Sequence, residues 1–381
     1  MARTSRRPTR QSVSSVLLPA LAGYLLIRSL VLLAVLRLRP ADAAVAQGIL
    51  DPLLTPDGSV VGRVAANGYG SIVRPVDGAA YADTAVLPLQ PAVSRLAALA
   101  TGTDLSPGSA AEMALVVSFL ASLVAAAAVC LLTSHVYGPR AAVATTWLWA
   151  ALPTGASLWT PAPYALLAAC SVGALLAWAS ARPLPAALLA GAAALADPAG
   201  LGAVAAVVVG TVAALRHGRL HRATAAWTVA LAAAPPAAYA VWLADRRGSP
   251  DAVLTVLQSR AETEGGLRRI VEQVRSLVDS PAVVLVAVVV AALAVGLVLA
   301  VADRQPDEIV VHAAVTVLAT GLLAPSLDAA GALSLAAIGV WMPLGDALAA
   351  RSRLQQALVL GVMLLSSLAW AASGLAGSPW A

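Results

Sequence analysis

Long runs of apolar residues alternate with short polar breaks along most of this 381-residue chain. A helix needs roughly 20 apolar residues to cross the hydrocarbon core of a bilayer. By that measure we find about eleven hydrophobic segments, and the pattern predicts an all-α polytopic membrane protein that forms a single integral membrane domain. The approximate spans are 13–36, 111–136, 141–153, 162–180, 184–196, 199–215, 223–244, 281–302, 309–325, 329–349 and 355–376.

The first apolar segment follows a basic tail over residues 1–12. Its apolar run, 13–36, is too long for the core of a signal peptide and is not followed by a clear small-residue cleavage site. We therefore expect a retained first transmembrane helix.

The arginines around the apolar segments predict the orientation of the chain, because cytoplasmic loops of membrane proteins are enriched in basic residues. The basic tail places the N-terminus in the cytoplasm, at the plasma membrane, and the C-terminus then lies outside. The predicted short outer loops near 153–161, 197–198 and 325–328 carry no basic residue. The predicted inner loops carry Arg140, Arg182, Arg216, Arg219, Arg222, Arg304, Arg351 and Arg353.

Two long polar segments fall on the predicted extracytoplasmic side, at 37–110 and 245–280. The second has apolar residues at helical spacing on both sides of Gly265 and Gly266. This pattern predicts two amphipathic helices at the membrane interface.

Composition agrees with a membrane location, since 60% of the residues are hydrophobic and 11% are charged, against about one quarter charged in soluble domains. The net charge of +5 fits basic residues beside membrane spans and lipid headgroups, and no stretch suggests nucleic-acid binding. The two cysteines and four histidines have no metal-ligand spacing, so we expect neither a metal site nor a cofactor.

The segment 37–110 is the first candidate for chemistry, because it carries several Asp residues together with Arg63, Arg74 and Arg95. One interpretation is a solvated loop, in which acids and turn-forming residues are common. The other is an outward-facing active site, in which a carboxylate takes a proton from a hydroxyl nucleophile and an arginine holds a phosphate. Periodicity does not choose between the two.

The stretch "PDGSVVGRVAANGYG" (56–70) supplies a further signal. Its Asp57-Gly58, Arg63 and Gly68-Tyr69 resemble the first-loop signature of the GPI mannosyltransferase II (PIG-V-like) family. Four later stretches resemble other segments of that family in the same order. They are "AVLPLQP" (85–91), "ALPTGASLWTPAPYALL" (151–167), "ALADPAGL" (194–201) and "WMPLGDALAARSRLQQAL" (341–358).

The resemblance implies a GT-C architecture for the predicted bundle of about eleven transmembrane helices. It also implies transfer of mannose from a polyprenyl-phosphate sugar to an acceptor on the outer face of the membrane. The lipid-linked donor is then a substrate, and no metal or other cofactor is required. By this resemblance Asp57 is the catalytic base, Arg63 contacts the phosphate, and Tyr69 shapes the loop or stacks on a sugar.

The chain also departs from the family pattern. Pro56 stands where the family has Trp, and Val60-Val61 replace an aromatic pair. Leu166 replaces an acid, and Asp197 replaces an arginine. These losses motivate a second hypothesis, a catalytically degenerate protein that binds membrane lipid or acts as the scaffold partner of a cell-envelope enzyme.

Four more residues are candidate substrate contacts. Asp83 lies near "LPLQP" and could act as an acid, although a loop cap is the more common role for such a residue. Asp197 precedes Pro198 at a helix junction, where an N-cap is the more common role. Trp159 and Tyr164 lie at a predicted outer junction and are the aromatic residues that we expect to face a substrate.

Arg28 lies within the first predicted helix. An intramembrane arginine is costly and often functional, but close to a helix end we expect it to snorkel toward water. The other predicted spans are almost free of ionisable residues, which makes a third hypothesis, an ion-coupled transporter, unfavourable.

Overall fold

The computed structural model of the protein describes residues 13–37, 53, 56–70, 72–73, 81–263, 282–324 and 327–375, without the side chain of Asp57. Helices form most of these residues. In chain order they are α1 (Val13–Arg37), α2 (Pro56–Asn67), α3 (Leu89–Thr101), α4 (Pro107–Val136), α5 (Pro139–Ala151), α6 (Tyr164–Ala179), α7 (Pro183–Ala196), α8 (Leu201–Arg216), α9 (Arg222–Arg247), α10 (Ala252–Thr263), α11 (Ala282–Ala302), α12 (Asp307–Leu323), α13 (Leu327–Ser334), α14 (Ile338–Ala349) and α15 (Arg353–Leu375).

Shorter elements connect these helices. Two antiparallel strands, β1 (Ile72–Val73) and β2 (Tyr81–Ala82), pair in the segment between α2 and α3. Short 3-10 helices span Asp83–Ala85, Pro153–Trp159 and Pro198–Gly200.

The helices confirm the prediction of an all-α polytopic membrane protein. Each of the eleven apolar segments coincides with at least one helix. Among the described residues, five helices are long and apolar enough to cross a bilayer, and a sixth span arises if Pro153–Trp159 and Tyr164–Ala179 count together despite a 100° bend. The shorter apolar helical stretches among the described residues are Pro183–Ala196, Val289–Ala302 and Ile338–Ala349.

The predicted segment 329–349 is not one helix, because the chain leaves helical conformation between α13 and α14. Two buried indoles satisfy the carbonyl groups that this break exposes: the Nε1 of Trp341 donates to the oxygen of Ser334, and the Nε1 of Trp149 donates to that of Leu335, each at 3.0 Å. Irregular backbone at membrane depth is tolerated only where protein groups or water satisfy it in this way.

The first polar segment contains helix α2, which its composition does not predict. Helix α2 includes Gly58 and Gly62, each of which lowers helix propensity by about 1 kcal/mol relative to alanine. Gly62 lies against α4, where an added Cβ would be 2.3 Å from the carbonyl oxygen of Pro107 and 2.8 Å from the Cβ of Ala111. The missing side chain therefore lets two helices touch through their backbones.

We expect Gly62→Ala to lower the thermal unfolding midpoint of the purified protein. The added methyl group meets backbone atoms that cannot rotate away, and overpacking of this kind costs about 1–3 kcal/mol. Gly108→Ala is the matched control, because nothing lies within 4 Å of a Cβ at that position. Equal midpoints for the two variants would contradict the close α2–α4 packing.

Segments predicted on the same side of the membrane meet at the same end of the bundle. At one end, Gly58 of the first polar segment lies against Pro161, and the hydroxyl of Thr154 donates to the oxygen of Gly331 at 3.1 Å. At the other end, the hydroxyl of Tyr137 donates to Asp303 at 3.1 Å. The membrane topology and the orientation of the bundle stay predictions.

Candidate functional site

A cluster of aromatic and basic side chains joins the first polar segment to the end of α9. The rings of Tyr69 and Trp242 are 5.4 Å apart between centroids, and those of Tyr239 and Trp242 are 5.5 Å apart. The guanidinium carbon of Arg246 lies 5.5 Å from the centroid of the Trp242 ring. Tyr239, Trp242 and Arg246 share one face of α9 because they are three and four residues apart.

Hydrogen bonds hold the first polar segment in place against α9. The hydroxyl of Tyr239 donates to the carbonyl oxygen of Thr84 at 2.5 Å, and Arg247 donates to the hydroxyl of Thr84 at 3.3 Å. From the same helix end, Arg246 donates to the carbonyl oxygen of Tyr69 at 3.2 Å. These bonds use only some of the five donors of each guanidinium group, so both arginines retain donor capacity for an anion.

The Tyr69 hydroxyl is a hydrogen-bond donor and not a base. It donates to the carbonyl oxygen of Val86 at 2.8 Å. Burial raises the pKa of the Tyr69 phenol, and the nearby Tyr239 and Asp83 raise the pKa further. The phenol therefore stays protonated at neutral pH, and its ring can serve as a stacking surface.

An apolar pocket of about 80 Å³ lies beside this cluster. The first polar segment, the α7–α8 junction, α9 and α10 each contribute to its wall. Nearly all of its surface is hydrophobic, which suits a hydrocarbon chain. The lining residues are Thr84, Leu87, Ala194, Leu195, Pro198, Leu201, Pro236, Tyr239, Leu243, Val253, Val256 and Leu257.

The two residues proposed for acid–base chemistry and phosphate binding lie on α2. Asp57 occupies the first turn of this helix, and its side chain is outside the part of the chain that the structure describes. The adjacent Gly58 lies against Pro161, where an added Cβ would be 2.5 Å from the Pro161 Cγ. Arg63 is half-buried in the middle of the helix.

The other two acidic candidates are bonded to backbone amides. Asp83 is 2% exposed, and its Oδ2 accepts a hydrogen bond from the amide of Gly70 at 2.9 Å. The Oδ1 of Asp197 accepts from the amide of Ala199 at 2.9 Å, which makes Asp197 the N-cap of the 3-10 helix Pro198–Gly200. Both contacts match the capping roles considered from the sequence, and Asp197 also adjoins the pocket through Pro198.

Trp159 and Tyr164 are buried and belong to a different hydrophobic cluster from the one against which Tyr69 packs. The Nε1 of Trp159 donates to the Ser122 hydroxyl at 3.0 Å, and its ring packs edge-on against Phe119 with centroids 5.2 Å apart. Tyr164 begins α6 and belongs to the main hydrophobic core. Neither Trp159 nor Tyr164 lines the apolar pocket, whose wall includes Pro198 next to Asp197.

The valines that replace an aromatic pair of the resembled family point into a core. Val60 and Val61 are 3% and 1% exposed and belong to a cluster with Val86 and Leu243. In this chain the replacement alters the packing of α2. It does not remove side chains from the surface of the pocket.

The contribution of α9 was not predicted from the sequence; its residues are Tyr239, Trp242, Arg246 and Arg247. A signal was present in "YAVWLADRR" (239–247), where two aromatics and an arginine recur at helical spacing at the end of an apolar span. Interfacial aromatics and arginines are common at such ends, so the pattern alone did not separate a site from a membrane anchor.

No protein-family model and no curated protein matches the sequence. Solved structures of the Archaeoglobus fulgidus oligosaccharyltransferase do match the fold, at 14% sequence identity. The apo form gives a TM-score of 0.53 over 94% of this chain and 56% of that chain. The complex with Zn and sulfate gives 0.51, over 93% and 53%.

A third structure is that of the same archaeal enzyme, AglB, in complex with an inhibitory peptide and a dolichol-phosphate. It gives a TM-score of 0.50 over 94% of this chain and 56% of that chain. The chain thus spans about half the length of these oligosaccharyltransferases. At this level of identity the likeness establishes the architecture, a membrane protein with a GT-C-like fold.

Proposed function

We propose that the protein is a GT-C-type membrane glycosyltransferase that transfers mannose from a polyprenyl-phosphate sugar to an acceptor on the outer face of the membrane. The observation that carries this proposal is the apolar pocket beside the Tyr69, Trp242 and Arg246 cluster. A lipid-linked sugar has the matching parts in the same order, namely a hydrocarbon chain, a phosphate and a sugar ring.

Each part of the donor has a partner in this proposal. The first isoprene units occupy the pocket, and Arg247, bonded to Thr84 on its wall, contacts the phosphate together with Arg246. Tyr69 and Trp242 offer ring faces to the sugar. Arg63, the phosphate contact implied by the family resemblance, is an alternative partner on α2.

The proposed reaction is an inverting displacement. The acceptor hydroxyl oxygen forms a bond to the anomeric carbon of mannose, and the bond from that carbon to the phosphate oxygen breaks. The polyprenyl phosphate leaves with the bonding electron pair, and the hydroxyl proton moves to the carboxylate of Asp57. The likeness to a GT-C enzyme supports this chemistry, and the PIG-V-like motifs support mannose as the sugar.

Filling the pocket tests the proposed lipid site. We expect Val253→Phe to raise the KM for a polyprenyl-phosphate mannose, or to weaken its binding, because Val253 lines the pocket. Leu254→Phe is the matched control on the same helix, since Leu254 is 62% exposed and does not line the pocket. The pocket assignment fails if both variants bind the donor as the wild type does.

The non-catalytic hypothesis has one specific observation in its favour. Asp83 and Asp197 are the candidate acids whose side chains the structure describes, and both accept hydrogen bonds from backbone amides. Trp159 is likewise bonded to another side chain of the bundle, that of Ser122. A protein of this kind would bind the lipid without turnover and would co-purify with a cell-envelope enzyme. Sugar transfer by the purified chain alone would rule it out.

A further inference from the structure

Arg28 lies in the second half of α1 and is buried inside the helix bundle, with 1% of its surface exposed. The expectation that it snorkels toward water is wrong, because the side chain turns inward. Among the residues that the structure describes, none is a hydrogen-bond partner of its three guanidinium nitrogens. Guanidinium groups keep their charge in proteins, so Arg28 is a buried cation without a hydrogen-bonded counter-ion in the described part of the bundle.

The described contacts offset little of the cost of burying this charge. The guanidinium carbon lies 5.6 Å from the centroid of the Tyr24 ring, a cation–π contact. Such a contact is weak compared with the cost of moving an unpaired ion out of water. A bound anion would supply the missing partner.

The backbone opposite Arg28 is irregular. Helix α5 ends at Ala151, and the 3-10 helix Pro153–Trp159 meets α6 at a 100° bend. Interrupted helices in membrane proteins often line binding sites, because their free backbone groups and end dipoles can face a ligand. The break is therefore an independent sign of a site at the place where Arg28 points.

Gly155 brings this irregular segment into direct contact with Arg28. A Cβ at position 155 would lie between 2.1 and 2.6 Å from three atoms of the guanidinium group. Within the described ranges, the hydroxyls of Tyr24 and Ser367 are also buried without hydrogen-bond partners. Ser367 lies on α15, which packs against both α1 and the 3-10 helix. The surroundings thus hold unused donors as well as the unpaired charge.

We propose that Arg28 and the broken segment at Gly155 form a buried anion site that takes a phosphate group. The planar fork of a guanidinium matches two phosphate oxygens, and basic pockets between transmembrane helices bind lipid headgroups. The phosphate arrives either on a membrane lipid or as the free ion. The site does not depend on whether the chain transfers a sugar.

Binding of two probes by the purified full-length protein tests this site. Inorganic phosphate is measured by equilibrium dialysis with radiolabel. Phosphatidic acid is measured by native mass spectrometry after release from phosphatidylcholine nanodiscs, with diacylglycerol as the uncharged comparison lipid. We expect preferential retention of phosphatidic acid if the phosphate comes on a lipid, and phosphate binding if the free ion enters. If the wild-type protein shows neither, the proposal is overturned.

Substitutions then locate the bound phosphate. We expect Arg28→Gln to weaken binding by at least about tenfold, because a charge-assisted pair is lost. Arg140→Gln, which removes an exposed arginine at the start of α5, should bind as the wild type does. If Arg28→Gln does not give a monodisperse protein, Arg28→Lys is measured instead. Lysine keeps the positive charge but lacks the planar fork of the guanidinium group, so we expect several-fold weaker binding. If the Arg28 variant that can be purified binds the probe with the same affinity as the wild type, the proposal is overturned.

Discussion

Asp57→Asn is expected to reduce sugar transfer by about two orders of magnitude or more while the fold is retained. Asparagine has nearly the same size and shape as aspartate, but its amide cannot accept the proton of the acceptor hydroxyl. A positioned general base contributes typically about 10²–10⁴-fold to a rate. The measurement is the initial rate of mannose transfer from a polyprenyl-phosphate mannose by the purified variant in nanodiscs.

Asp104→Asn is the control for this experiment, because Asp104 is an exposed acid of the same predicted outer segment. It should transfer sugar at the wild-type rate. If Asp57→Asn is as active as the wild type, the role assigned to Asp57 is wrong. In that case another carboxylate would have to accept the proton.

Gly200→Ala is expected to cause the largest loss of stability. A Cβ at position 200 would lie 2.1 Å from the carbonyl oxygen of Ala193 and 2.6 Å from the amide nitrogen of Ala194. These are backbone atoms at the end of α7, so the methyl group can be accommodated only if the α7–α8 junction opens. We expect the variant to lose a monodisperse elution profile or to unfold at a clearly lower temperature.

Gly321→Ala serves as the comparison, because it lies inside α12 with nothing within 4 Å of an added Cβ. Alanine also has the higher helix propensity, so this variant should be at least as stable as the wild type. Similar stability of Gly200→Ala and Gly321→Ala would mean that the junction beside Asp197 is looser than the structure indicates. The wall of the pocket formed by Pro198 would then also be in doubt.

The apolar segments could be predicted from sequence because burial in lipid leaves a strong signal. A run of roughly 20 apolar residues is rare outside membranes, and every predicted segment coincides with a helix. The break between α13 and α14 left no such signal, because Trp149 satisfies its carbonyl group from α5, far away along the chain. Contacts of this kind are set by tertiary packing.

Helix α2 was not predicted from the sequence because it contains two glycines and several polar residues. Its glycines lower the intrinsic helix propensity, and its Asp and Arg make it look like a loop. The spacing of Val60, Val61 and Val64 was the available sign of an amphipathic helix. The sequence does not show that α2 packs against α4, where only a residue without a side chain fits at position 62.

The candidate site was only partly predictable for a similar reason. Tyr69 was identified through a motif, and its ring packs against Trp242 of α9. Trp242 and Arg246, which complete the cluster, lie more than 170 residues later in an apolar helix. Their relation to Tyr69 follows from the packing of α9 against the first polar segment, which periodicity within one helix cannot reveal.

Turnover of the donor by the purified wild-type protein is the measurement that tests the central claim most directly. The protein is reconstituted in nanodiscs with polyprenyl-phosphate mannose and an extract of membrane glycolipids as acceptors, and the release of polyprenyl phosphate is followed with time. We predict acceptor-dependent release of polyprenyl phosphate that is lost in Asp57→Asn. Donor that binds to the protein but is never consumed with any acceptor fraction would contradict it and would establish the non-catalytic hypothesis.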